Sequence, residues 1–80
     1  MKLTIALFGI TREIVGAPQL ELSVPEGQSV QALLAQLQQS FPALGQLRSL
    51  AVAVNNEYAE PGALLQERDE VALIPPVSGG

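Results

Sequence analysis

With 80 residues, 48% of them apolar and 15% charged, the chain fits one soluble globular domain, too apolar to remain disordered. A domain this short buries only about 60–65% of the surface it exposes unfolded, which leaves little room for an enclosed active site. The net charge of −4, eight acidic residues against Lys2, Arg12, Arg48 and Arg68 with no basic run, argues against nucleic acid and anionic membranes as partners. The chain holds no Cys and no His, so disulfides, thiolate metal sites and Cys or His nucleophiles and bases are all excluded, and no metal site is expected. No apolar stretch approaches the roughly 20 residues of a membrane span, and the start, Met1 to Ile5, has no apolar leader pattern. A cytoplasmic location is therefore expected.

Leu3 to Phe8 alternate in hydropathy, with Leu3, Ile5 and Leu7 on one face, and predict a strand. Ile10 to Val15 predict a short helical turn closed by Gly16, and Gln19 to Val24 a second strand with Leu20, Leu22 and Val24 facing in. After the turn at Pro25-Glu26-Gly27, Ser29 stands where a helix cap belongs. Val30, Leu33, Leu34 and Leu37 follow as one apolar helical stripe, which Pro42 stops. Ala51 to Val54 predict a third strand, Asn55-Asn56 a turn, and Glu57 to Ala59 a short fourth strand. Pro61-Gly62 break the chain, Ala63 to Leu65 read as a small helical turn, and Glu70 to Ile74 form the last strand. One main helix covering one face of a mixed sheet is an α+β solution, and this element order is that of the β-grasp, or ubiquitin-like, fold. Residues 1–76 are read as that domain and 77–80 as a flexible tail.

The tail has a physical reading of its own. Pro75 and Pro76 fix φ and launch the chain stiffly from the last strand. Gly79 and Gly80, lacking Cβ atoms, fit a channel too narrow for side chains. Val77, Ser78, Gly79 and Gly80, fully extended, reach about 13 Å, enough to place a terminal carboxylate inside another protein's pocket. A frayed, Gly-rich end is the plainer alternative. A carboxylate becomes reactive once an ATP-dependent partner makes it an acyl-adenylate, and a sulfide equivalent that displaces AMP leaves a thiocarboxylate. Such a group carries sulfur with no cysteine.

Three segments carry a family likeness: Leu7 to Gly16 (LFGITREIVG), Ala51 to Asn55 (AVAVN) and Asp69 to Gly80 (DEVALIPPVSGG). In these, in length and in element order, the whole chain resembles the small, sulfur-carrier subunits of molybdopterin synthase. The resemblance implies that Gly80 is the working group, adenylated by an enzyme similar to ubiquitin-activating enzymes, which uses the ATP, and then converted to a thiocarboxylate. It implies that Pro75, Pro76, Val77, Ser78 and Gly79 insert into the large subunit of a heterotetramer. There sulfur passes to cyclic pyranopterin monophosphate, and the catalytic side chains lie on the large subunit. The chain would then be a non-catalytic subunit of a transferase complex, with no bound cofactor. The family often has larger aromatics where this chain has Leu7, Leu73 and Ile74.

Strand parity leaves Phe8 and Ile74 off the core face, and Tyr58 sits on the short fourth strand. Together they are either an exposed docking patch or single covers of core edges. The family's interface positions agree with the patch. Arg12, within the first matching segment, is either a pairing residue for a partner or a solvated surface cation beside Glu13 or Glu21. Glu67, Asp69 and Glu70 read as a solvated turn. Three alternatives to a molybdopterin-pathway carrier stand: a sulfur carrier for thiamin, cysteine or transfer-RNA thiolation, a ubiquitin-like protein modifier, and a plain interaction domain.

Overall fold

A computed structural model describes residues 1–47 and 49–76. The elements run β1 (Lys2–Leu7), α1 (Gly9–Val15), β2 (Gln19–Ser23), α2 (Val30–Ser40), a 3-10 turn over Pro42–Gln46, β3 (Ala51–Val54), β4 (Glu57–Tyr58) and β5 (Val71–Ile74). The strands form one mixed sheet in the order β2-β1-β5-β3-β4. β5 is central: it runs parallel to β1, with Leu7 opposite Leu73, and antiparallel to β3, with Val52 opposite Leu73. β2 flanks β1 and β4 flanks β3, both antiparallel. This is the β-grasp arrangement expected from the element order.

Alternation along the strands decides what is buried. Leu3, Ile5 and Leu7 of β1, Val52 of β3, and Val71 and Leu73 of β5 pack with Val30, Leu33 and Leu37 of α2 in one core. α2 begins at Ser29, whose Oγ accepts the Ala32 N–H at 3.1 Å. Leu20 and Leu22 are only half-buried, because β2 is an edge strand covered from one side.

Two stretches depart from expectation. Ala63 to Leu65 is extended, not helical: Leu64 forms a bridge with Ser29. The N–H groups of Val30 and Gln31, which have no acceptor within their own helix, donate to the carbonyls of Ala63 and Pro61 at 2.9 Å each. Satisfying the start of α2 holds this segment straight, a tertiary demand that local propensity does not contain. After Pro42 stops α2, the 3-10 turn places Leu44 fully inside the core, an element not foreseen in the sequence. The first strand also ends one residue early, at Leu7, which leaves Phe8 as the residue capping α1.

Truncating a side chain of this core removes burial and leaves a cavity. Leu37→Ala is expected to lower unfolding free energy by about 2–5 kcal/mol, read from the shift in urea midpoint at constant slope.

Candidate interaction site

The face of the sheet turned away from α2 is shaped by small residues. Ala6 of β1 lies opposite Ala72 of β5, Ala72 opposite Ala53 of β3, and Ala53 opposite Tyr58 of β4. This row forms a floor of three methyl groups with a phenol ring at one end. Larger residues rise around it, and the result is a shallow depression of about 370 Å³, lined also by Phe8, Ile74, Asn56 and Glu70. Phe8 is 51% and Tyr58 76% exposed. The sheet therefore gathers Phe8, Tyr58 and Ile74, three of the residues singled out in the sequence, around one apolar hollow. Arg12 is exposed on α1 and does not line it.

Both flanks of the hollow are tied down. On one side the buried Thr11 closes a tight loop with Phe8: its Oγ1 accepts the Phe8 N–H at 3.0 Å and donates to the Phe8 carbonyl at 2.6 Å. The Thr11 N–H donates to the same carbonyl at 3.1 Å. These bonds fix the backbone from which the Phe8 ring projects. Thr11 was not recognised in the sequence as a site residue. The available signal was a hydroxyl residue three places after the cap, the spacing of a helix-start motif.

On the other side, Asn55 and Asn56 adopt positive φ, 53° and 69°, and turn β3 into β4. Asn55 Oδ1 accepts the Glu70 N–H at 2.9 Å, and its Nδ2 donates to Asp69 Oδ1 at 3.0 Å. Asp69 Oδ2 accepts the Gln66 N–H at 2.7 Å. The acidic turn is thus more than solvated: Asp69 joins the hairpin that carries Tyr58 to the start of β5.

β5 then runs past the hollow into Pro75 and Pro76, both half-buried. The Pro75 ring lies against Gly9, where an added Cβ would stand 3.2 Å from the ring carbon. The chain leaves the sheet at the same end as Phe8 and Ile74. Val77, Ser78, Gly79 and Gly80 lie outside the described residues. Among the described residues no group of three or more His, Cys, Asp or Glu side chains could hold a metal ion, and no helix is long and apolar enough to cross a membrane.

The model of the ThiS family matches residues 5–80. The chain belongs to the ThiS family. Among curated relatives, the molybdopterin synthase sulfur carrier subunit of Arabidopsis thaliana is 43% identical over 81 residues, covering 100% of this chain and 84% of the relative. The subunit of the same name from Mycobacterium tuberculosis is 38% identical over 82 residues, covering 100% and 99%. Among solved structures, small archaeal modifier protein 1 (SAMP1) of Haloferax volcanii superposes with a TM-score of 0.85 at 29% identity, covering 100% of both chains. The family's sheet and helix are thus present in full, with the hollow beside the point where the chain exits.

Thr11→Val keeps the shape of the side chain and removes its hydroxyl. It is expected to cost about 1–3 kcal/mol of stability, because the Phe8 N–H loses its acceptor. Thermal and urea unfolding of the two proteins side by side checks this.

Proposed function

We propose that this ThiS-family chain is a sulfur carrier for molybdopterin synthesis and that its reactive group is the Gly80 carboxylate. The observation that carries the reading is the full-length likeness to molybdopterin synthase sulfur carrier subunits. The described residues support it in two ways. They offer an apolar hollow beside the exit of the chain, suited to docking a partner while the tail reaches into it. They also hold the Pro75 ring against Gly9, at the end of the sheet where the chain leaves it.

In this reading, a Gly80 carboxylate oxygen attacks the α-phosphorus of ATP on an activating enzyme, and pyrophosphate leaves. A sulfide equivalent then attacks the acyl carbon and AMP leaves, which gives the thiocarboxylate. The carrier docks through Phe8, Tyr58 and Ile74 on a large synthase subunit, with Arg12 as a candidate pairing residue. Pro75 and Pro76 aim Val77, Ser78, Gly79 and Gly80 into that subunit's pocket, where sulfur passes to cyclic pyranopterin monophosphate. Glycine at the last two positions lets the acyl group pass where a side chain would collide. The carrier itself binds no cofactor. The assembly is a cytoplasmic heterotetramer with a carrier at each end of a large-subunit dimer.

A second reading, a protein modifier, is favoured by the likeness to the archaeal modifier. The two readings share activation and diverge at the acceptor: a modifier ends in an isopeptide on a target lysine.

The deciding test is intact mass after incubation with a molybdopterin-type activating enzyme, ATP and a sulfur source. We expect one oxygen replaced by sulfur at Gly80, followed by sulfur transfer when large subunit and precursor are added. Lysine conjugates in place of sulfur transfer would favour the modifier. Deleting Gly80 is expected to abolish transfer while leaving the unfolding midpoint unchanged. Phe8→Asp, which sets a charge on the rim of an apolar hollow, is expected to weaken large-subunit affinity at least about tenfold, the loss of about 1.4 kcal/mol. Adenylation at saturating activating enzyme should survive this change. Unaltered affinity by titration calorimetry would remove Phe8 from the interface.

A further inference from the structure

An activated carboxylate is open to attack by any amine that reaches it, including those of its own chain. This sequence holds a single lysine, Lys2, and no cysteine. Its arginines stay protonated and are not nucleophiles, and with no histidine its hydroxyls lack an imidazole base. Lys2 and the Met1 amine are therefore the groups of the chain able to intercept an acyl-adenylate at Gly80.

The sheet sets both far from the exit. β1 and β5 run in the same direction, with Ile5 opposite Val71 and Leu7 opposite Leu73. Lys2, at the start of β1, thus lies at one end of the sheet and Pro76, just past β5, beyond the other. The span from Lys2 to the level of Leu7 and on from Leu73 to Pro76 is eight residues of strand rise, roughly 25 Å. The four residues after Pro76 reach about 13 Å even when fully extended. A tail folded back over the sheet falls short, even with the lysine stem stretched towards it. Met1 is one residue further away, and its amine donates to the Val24 carbonyl at 2.7 Å.

We propose that the placement of Lys2 and Met1 at the far end of the sheet protects the activated Gly80 carboxylate from capture by its own chain, so that only a nucleophile brought by a partner takes it. The inference rests on the carrier reading above. It depends on the activated acyl group that the sulfur-carrier and modifier alternatives share, and not on the acceptor. The step that is avoided is simple. A chain amine attacks the acyl carbon, the bond to the AMP oxygen breaks, a proton goes to solvent, and the resulting lactam is lighter than the starting chain by one water.

The test moves an amine within reach. Glu13 is exposed on α1, one helical turn after Gly9, which touches Pro75. Ser23 is exposed and lies opposite Lys2 in the sheet, so it serves as the distant control. Wild type, Glu13→Lys and Ser23→Lys are each incubated as full chains with activating enzyme and ATP, without a sulfur source. Hydroxylamine added to parallel samples traps the acyl-adenylate as a hydroxamate and reports activation independently of capture. All three are expected to yield hydroxamate. Only Glu13→Lys should accumulate the product lighter by one water, with the new amide mapped to position 13. A dehydrated wild type linked at Lys2 or Met1 overturns the proposal. So does a Glu13→Lys chain that yields hydroxamate and no dehydrated product. Failure of every chain to yield hydroxamate, with a control carrier active in the same mixture, overturns activation at Gly80 and the proposal with it.

Discussion

The pairing of β5 between β1 and β3 is the constraint on which the rest of the molecule depends. One four-residue strand supplies Val71 and Leu73 to the core and, on its other face, Ala72 and Ile74 to the hollow. Its ladder to β1 sets the level of Phe8, its ladder to β3 sets the level of Tyr58 through Ala53, and its end sets where Pro75 and Pro76 begin. Core packing and the hollow thus share a backbone. A hollow built on a central strand is held more closely than one built on loops.

The edges of the hollow need separate anchoring, because Phe8 and the Asn55-Asn56 turn lie outside the strand ladders. Each is tied by polar side chains that serve the backbone. The Thr11 hydroxyl holds both polar groups of Phe8, and the Asn55 amide joins the hairpin to Asp69 and Glu70. Among the described residues no buried side-chain nitrogen or oxygen lacks a partner. The apolar rings of Phe8 and Tyr58 thus stand on backbone that polar side chains hold in place.

Much of this was legible in the sequence. Period-two alternation in Leu3 to Leu7 and Val71 to Ile74 gave both strands and their buried faces, and the 3.6-residue stripe from Val30 to Leu37 gave the helix that covers them. Parity alone put Phe8 and Ile74 on the face away from that helix. What stayed hidden were contacts between segments distant in the chain. Ala63 to Leu65 looked helical because nothing local reveals that the start of α2 takes the carbonyls of Pro61 and Ala63. The alanine floor was invisible because Ala6, Ala53 and Ala72 meet only through strand register. Asp69 read as part of a solvated turn because its bond to Asn55 depends on where the hairpin comes to lie, and Thr11 showed no role because its bonds depend on where Phe8 comes to lie. Gly79 and Gly80, the residues on which the sequence spoke most specifically, are beyond the described part of the chain.

The last strand made is also the middle of the sheet. β1 and β2 can pair early as near neighbours, but closure of the sheet waits for residues more than sixty positions further on. Such long-range pairing carries a large loop-closure cost and places the late step of folding at β5. During synthesis β5 is the last of the five strands to be made, after every strand that must receive it. A chain cut short before β5 has no strand to join β1 to β3. Completion of the sheet, and with it of the hollow floored by Ala6, Ala53 and Ala72, thus depends on the strand made last.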